Sequence, residues 1–236
     1  MSNRLDSDPL RILYEDNHLL GVFKPAGVLV QGDRTGDVTL LDLAKEYIKV
    51  KYTKPGNVFL GLVHRLDRPV SGVVLYARTS KAASRLIKEF RERRVEKIYY
   101  AVVTGGVTPE SGERVSFIER VKTRSRIAKP TSGNAKEAIL TYRVLARSMG
   151  MSLLELRPLT GRHHQLRLQL ADMGHPIVGD MKYGAREALA DRAVALHAGV
   201  LVIKHPTKDV SVRLVAHPPR VPPWGDFGST IEAHFE

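Results

Sequence analysis

One short polar stretch of the chain concentrates side chains capable of acid, base or nucleophilic chemistry. They are His64, Arg65, Asp67 and Arg68. Apolar runs at residues 59–63 and 73–77 predict two strands that hold this stretch as a loop, a common way to position catalytic groups. Because neighbouring arginines favour an ionised carboxylate, Asp67 can act as a nucleophile or a base. A surface turn with two solvated salt bridges fits equally well, and the residues alone leave both interpretations open.

Length and composition bound the class of protein. The chain has 236 residues, enough for one sizeable domain or two small ones with a buried core. It has no cysteine, which excludes disulfides and thiolate metal sites and is typical of a reducing compartment such as the cytoplasm. No signal peptide or membrane-spanning apolar run is apparent. A formal net charge of +12 favours a polyanionic partner, most often nucleic acid, over a merely basic soluble protein.

The first part of the chain predicts a hairpin and two helices. Residues 11–24 give two strand patterns around an Asp-Asn turn, and residues 28–31 predict that the second strand resumes after Lys-Pro-Ala-Gly. Helices are predicted over residues 40–50 and 81–94, with Thr39 and Ser80 as their N-caps. The second helix has a basic face, which is either simply solvated or in contact with phosphate.

The rest of the chain predicts more strands and a third helix. The strands are predicted at residues 96–105, 137–147 and 152–157. Residues 106–135 are basic and punctuated by Gly, Pro and Ser, which predicts a surface hairpin that either grips a nucleic acid or is a flexible insertion. A helix capped by Thr160 and ended by Gly174 would place His163 and Arg167 on one face.

Several classes of site are disfavoured. The chain has nine histidines, but it has no H-E-x-x-H or cysteine motif, and the adjacent His163 and His164 would point apart on a helix. We therefore expect no metal. No Gly-rich phosphate loop or dinucleotide fingerprint occurs, so no nucleotide cofactor is expected. A glycosidase needs two placed carboxylates, and the polar loop offers only Asp67.

Two longer motifs, in this order, carry a specific family resemblance. The segments HRLDRPVSG at residues 64–72 and TGRHHQLR at residues 160–167 resemble signature motifs of the RluA-type RNA pseudouridine synthases. Weaker matches are KPAG at 24–27, EKIYYAVVTG at 96–105, HPIVGD at 175–180 and LHA at 196–198. The chain departs from the family pattern at Val70 and at His163, since threonine is usual at both positions.

The resemblance implies a fold and a domain organisation. We expect an α+β fold with a mixed, largely antiparallel central sheet, flanked by helices and loops around an RNA cleft. We expect a flexible N-terminus at residues 1–9 and one catalytic domain at 10–217, with the basic hairpin as an insertion. Residues 218–236 are expected to form a Pro-rich extended tail in which Trp224 and Phe227 fold back. The form expected is one without an N-terminal accessory RNA-binding domain.

The resemblance also implies an activity, the isomerisation of a uridine in a ribosomal or transfer RNA stem-loop to pseudouridine without a cofactor. Asp67 would supply the nucleophile, Arg167 would pair with it, and Tyr99 would stack on the uracil. Arg65 would fill the gap that the extruded base leaves in the RNA. The residues expected to bind RNA are His64, Arg65, Arg68, Arg124, Arg126 and Arg162.

Two other functional hypotheses remain. One is a catalytically silent RNA-binding protein of the same fold, against which the intact Asp67, Tyr99 and Arg167 argue. The other is a different base-modifying enzyme such as a zinc deaminase, which the absence of cysteine ligands and of an H-x-E motif disfavours. We expect a monomer with no obligatory protein partner.

Overall fold

The structure, a computed structural model, describes residues 10–235, which fall into two compact units. Unit 1 contains the residues up to Val95 together with Val202–Ala216, and unit 2 contains Glu96–Leu201 together with the residues from His217 onward. The expected flexible segment at residues 1–9 lies outside the described residues. Within the described part, no helix combines the length and apolar character needed to cross a bilayer. The expected limits of the catalytic domain stay a prediction.

The described residues form eleven strands and four α-helices. The strands are β1 (Ile12–Glu15), β2 (Leu19–Lys24), β3 (Gly61–Leu62), β4 (Ser71–Ala77), β5 (Glu96–Thr104), β6 (Ser111–Val121), β7 (Arg124–Ile127), β8 (Lys136–Ser148), β9 (Met151–Pro158), β10 (Leu196–Lys204) and β11 (Ser211–Val215). The helices are α1 (Leu40–Lys51), α2 (Ser80–Arg91), α3 (Gln165–Asp172) and α4 (Gly228–Phe235). Short 3₁₀ turns lie at Ala190–Arg192 and Trp224–Phe227.

Unit 1 is built on antiparallel pairing around β4. This strand is buried along its whole length and pairs with β2 on one side and with β3 on the other. The predicted hairpin of β1 and β2 is confirmed, and it turns where the Asp16 carboxylate accepts from the backbone N–H groups of His18 and Leu19, at 2.8 Å each. This side chain satisfies backbone donors that the turn would otherwise leave unpaired.

The end of unit 1 comes from a distant part of the chain. His205, just after β10, places Nε2 2.7 Å from Oδ2 of Asp16 in the β1–β2 turn. On β11, Leu214 packs so closely on Gly21 of β2 that a methyl group at Gly21 would lie 2.0 Å from a side-chain carbon of Leu214. The N-terminal hairpin is therefore completed by residues from the C-terminal part of the chain.

The helices and N-caps predicted for unit 1 are confirmed in part. Helix α1 has Thr39 as its N-cap as predicted, in a capping box with Asp42. Helix α2 begins one residue earlier than predicted because Thr79, rather than Ser80, accepts from the N–H of Ala82, and it ends at Arg91 rather than Arg94. The strand predicted at residues 28–31 is wrong, since carbonyls there accept from the first N–H groups of α1 and the segment is a loop.

Unit 2 is a sheet with the strand order β10-β5-β9-β8-β6-β7. The ladders of β5 with β9, β9 with β8, β8 with β6 and β6 with β7 are all antiparallel. The predicted basic hairpin is present as β6 and β7, but β6 also pairs with β8 from Ser111 opposite Arg143 to Ile118 opposite Lys136. Much of residues 106–135 is therefore part of the sheet rather than a loose loop.

Two predictions for unit 2 are wrong. Thr160 does not cap α3, because its hydroxyl lies 2.7 Å from Oε1 of Gln165; the N-cap is His164, in a left-handed conformation with φ 55°. His163 therefore precedes the helix and does not share a helical face with Arg167. The C-terminal segment is not an extended tail, since it ends in α4, although Trp224 and Phe227 are buried as predicted.

Candidate active-site groups

The Asp67 loop of unit 1 joins β3 to β4 and is tightly turned. The N–H of Val70 donates to the carbonyl of Asp67 at 3.0 Å, and the Asp67 side chain is half-buried. Val70 is only 2% exposed. An apolar residue suits this position because a buried hydroxyl would need a hydrogen-bond partner.

Lys24, at the end of β2, ties the Lys-Pro-Ala-Gly turn to this loop. Its Nζ donates to the carbonyls of Pro25 and Arg68, at 3.0 Å each, and the side chain is fully buried. The Arg68 carbonyl also accepts from the N–H of Gly27, which has φ 87°. Burial lowers the pKa of Lys24 to about 7, although the charge of Asp67 acts in the opposite direction.

Two of the predicted RNA-binding residues in this loop have structural partners. Nε2 of His64 accepts from the N–H of Leu75 at 2.9 Å, and its ring stacks on Phe90 with 5.0 Å between centroids. Arg68 donates from Nε to the Gly27 carbonyl at 2.8 Å and forms an ion pair with Asp37. By contrast, Arg65 is exposed and forms no hydrogen bond or ion pair within residues 10–235.

In unit 2, Tyr99 and Tyr100 lie side by side on β5 and differ in environment. Tyr99 is half-buried and lies opposite Leu156 of β9. Tyr100 is buried and packs on Phe235, with 4.9 Å between ring centroids, as expected for a tyrosine of the sheet interior. Alternation along the strand therefore leaves Tyr99 as the more accessible ring.

Arg167 lies on α3 in a buried ion pair that the sequence motifs did not predict. Its Nε and Nη2 donate to Oδ2 and Oδ1 of Asp180, both at 2.7 Å, and its guanidinium carbon lies 5.3 Å from the ring centroid of Tyr183. The side chains of Arg167 and Asp180 are 6% and 1% exposed. The available signal was an acidic residue directly after the apolar segment Pro-Ile-Val-Gly, because a buried carboxylate needs a cationic partner.

A polar cluster beside Arg167 joins β7 to the turn before α3. The hydroxyl of Ser125 lies 3.0 Å from Nδ1 of His163, and the N–H of Ser125 donates to the Tyr183 hydroxyl at 2.9 Å. That hydroxyl lies 2.8 Å from Nδ1 of His164. The two histidine rings stack with centroids 3.7 Å apart, so the expectation that they point apart is wrong, because they lie in a turn and not in a helix.

The remaining predicted RNA-binding arginines of unit 2 differ in how they are engaged. Arg162 donates from Nε to the Glu137 carbonyl at 2.8 Å, and Arg126 donates from Nε and Nη2 to Glu119 at 3.0 and 2.9 Å. Arg124 is exposed on β7 and has no ion pair in the described part of the chain. No group of three or more His, Asp or Glu side chains suited to a metal occurs among the described residues.

Comparison with known proteins adds independent evidence. Residues 18–172 match the family described as RNA pseudouridylate synthase. The chain is 37% identical over 225 residues to the ribosomal large subunit pseudouridine synthase D of Xylella fastidiosa, covering 89% of this chain and 66% of that protein. It is 36% identical over 219 residues to the tRNA pseudouridine synthase C of Salmonella typhi, covering 84% and 81%. The chain thus spans about two thirds of the length of the first relative.

A solved structure supports the same assignment at the level of the fold. Human RNA Pseudouridylate Synthase Domain Containing 4 superposes with a TM-score of 0.75 at 29% identity, covering 89% of each chain. This confirms the α+β, pseudouridine-synthase-like fold expected from the sequence. With two thirds of its length matched by the family and with relatives of this similarity, the chain belongs to the RNA pseudouridylate synthase family.

Proposed function

We propose that the protein is an isomerase that converts a uridine in structured ribosomal or transfer RNA to pseudouridine. Family membership supports this activity, and the names of two relatives point to large-subunit ribosomal RNA and to transfer RNA. The observation that carries the proposal is the Asp67 loop between β3 and β4, in which the Arg68 carbonyl accepts from the buried Lys24 and the His64 ring accepts from the N–H of Leu75. A preorganised carboxylate of this kind is what covalent catalysis requires.

The reaction is an isomerisation, so it needs neither a redox partner nor an energy donor. The N1–C1′ bond breaks, uracil rotates, C5 bonds to C1′, and the hydrogen of C5 leaves to water while N1 gains one. Asp67 supplies the nucleophile in this scheme. Tyr99, the more accessible of the two adjacent tyrosines, stacks on the uracil and can pass a proton.

In the same proposal Arg167 pairs with Asp67. A guanidinium has five N–H donors, and Asp180 engages Nε and Nη2 of Arg167. A guanidinium can therefore engage more than one carboxylate. Such a bidentate, charge-assisted contact would keep Asp67 ionised and fix its rotamer.

RNA is held mainly through phosphate neutralisation, in keeping with the net charge of +12. Among the predicted contact residues, Arg65 and Arg124 are exposed and have no ion pair within residues 10–235, so we assign them direct contact. The others are His64, Arg68, Arg126 and Arg162, which have protein partners and act more through the shape of the surface. A cytoplasmic location belongs to this proposal, since ribosomal and transfer RNA are the substrates proposed. We also propose that the protein acts as a monomer.

The test is tritium release from RNA carrying 5-tritiated uridine, after the modified position has been mapped by pseudouridine sequencing with and without the protein. The wild type should release tritium, and an excised stem-loop of about twenty nucleotides should suffice because the base must be extruded locally. Asp67→Asn should abolish release but keep RNA binding, while Asp209→Asn at an exposed site serves as the control. RNA binding without release by the wild type would favour a catalytically silent RNA-binding protein.

A further inference from the structure

The ion pair with Asp180 fixes the position of the Arg167 guanidinium within the guanidinium plane. Both side chains are nearly excluded from solvent, and two parallel hydrogen bonds of 2.7 Å join them. A buried ion pair contributes little net stability, because desolvation offsets most of the attraction. Its clearest physical effect is geometric, since the two bonds fix the direction of the remaining guanidinium edge.

Tyr183 also contacts the same guanidinium. Its ring centroid lies 5.3 Å from the guanidinium carbon of Arg167, within the range of a cation–π contact. Tyr183 and Asp180 come from one short segment, joined by a backbone hydrogen bond from the N–H of Tyr183 to the Asp180 carbonyl at 3.0 Å. The arginine is thus held by an anion at one edge and by contact with an aromatic ring.

The hydroxyl of Tyr183 connects this segment to the basic hairpin. It accepts from the N–H of Ser125 on β7 at 2.9 Å and lies 2.8 Å from Nδ1 of His164. A second tie runs from Nζ of Lys182 to the carbonyl of Thr123, in the turn between β6 and β7, at 2.9 Å. Arg124, which lies between these two attachment points, is exposed to solvent.

From this geometry we propose that Tyr183 is a positioning residue that couples the β6–β7 hairpin to Arg167. Contact between the hairpin and RNA phosphate then fixes the hairpin and the tyrosine hydroxyl. Through the tyrosine ring, it also fixes the guanidinium of Arg167. Part of the RNA-binding energy is in this way used to raise the rate of isomerisation rather than the affinity. This inference rests on the proposed function and deepens it.

The test is a double-mutant cycle under single-turnover conditions, with the RNA dissociation constant measured separately. Tyr183→Phe keeps the ring and removes the hydroxyl, so we expect the rate constant to fall about tenfold, the equivalent of one hydrogen bond, with less than a twofold change in affinity. Arg124→Ala should lower both rate and affinity in the wild type, but only affinity in the Tyr183→Phe background. This loss of additivity is the signature of coupling.

Tyr14→Phe is the matched control, because it removes a tyrosine hydroxyl bonded to Asp16 within unit 1. Lys182→Met, which removes the second tie, should reproduce a smaller loss of rate. Strictly additive effects of Tyr183→Phe and Arg124→Ala, or an unchanged rate in Tyr183→Phe, would overturn the coupling. A wild type that releases no tritium would instead refute the proposed function, so the two failures are distinguishable.

Discussion

The buried Lys24 should make the stability of the protein depend on pH in the alkaline range. Burial lowers its pKa to about 7 from the ordinary value of 10.5 that it regains on unfolding. Between these values the unfolded chain binds more protons than the folded protein. Stability therefore rises with pH in this window, and the destabilisation from burying the ammonium is complete only below about pH 7.

The size of the effect follows from the two pKa values. Integrating the proton linkage from pH 7.5 to pH 9.0 gives a gain of about 2 kcal/mol in the free energy of unfolding from this one group. The assay is urea denaturation of the wild type and of Lys24→Met at both pH values. The gain should disappear in Lys24→Met, which has no titratable group at this position, and should persist in the control Lys81→Met, which changes an exposed lysine.

Comparing the wild type with Lys24→Met removes the contribution of all other titrating groups, because these two proteins share them. If the wild type and Lys24→Met gained stability equally, within about 0.5 kcal/mol, the ammonium of Lys24 would not be desolvated as the structure indicates. The hydrogen bonds to the Pro25 and Arg68 carbonyls would then be made by a charged, solvated group.

Three further results are expected. Arg167→Lys should lower the single-turnover rate by at least about a hundredfold, because an ammonium cannot bind carboxylates bidentately; a rate near that of the exposed control Arg91→Lys would refute its role. RNA binding should weaken steeply with salt, and Arg124→Ala should reduce the log–log slope by about 1, more than Arg126→Ala, whose charge a glutamate already engages; equal slopes would contradict this. Val70→Thr should cost about 1–3 kcal/mol in chemical denaturation, since it buries a hydroxyl, and an unchanged midpoint would show that the hydroxyl finds a partner.

The sequence predicted those features that local chemistry determines. The N-cap of α1 could be predicted because Thr39 and Asp42 interact within one turn. The β1–β2 hairpin could be predicted because the Asp16 side chain accepts from a backbone N–H group two residues away. The start of α3 was not found, because the hydroxyl of Thr160 is engaged by Gln165 and by the N–H of Ile139 on β8, a contact that no local pattern contains.

In the candidate site, too, local motifs could be predicted from the sequence and long-range contacts could not. The motifs pointed to Asp67, Tyr99 and Arg167, and the catalytic roles of these residues stay predictions. The spacing of the motifs could not predict which partner each charged side chain binds, because ion pairs join residues far apart in sequence. The Asp180 carboxylate that holds Arg167 emerged only from the folded structure.

The discontinuity of unit 1 has a consequence for how the protein is made. β11 and His205, which pack on Gly21 and Asp16, leave the ribosome only after all of residues 96–201. The N-terminal hairpin must therefore wait, with part of its apolar surface uncovered, while the intervening unit is synthesised. Translation that stops before residue 202 leaves a nascent chain that contains the N-terminal hairpin but lacks the two elements that pack on it. Such a chain is a natural substrate for chaperones and proteases.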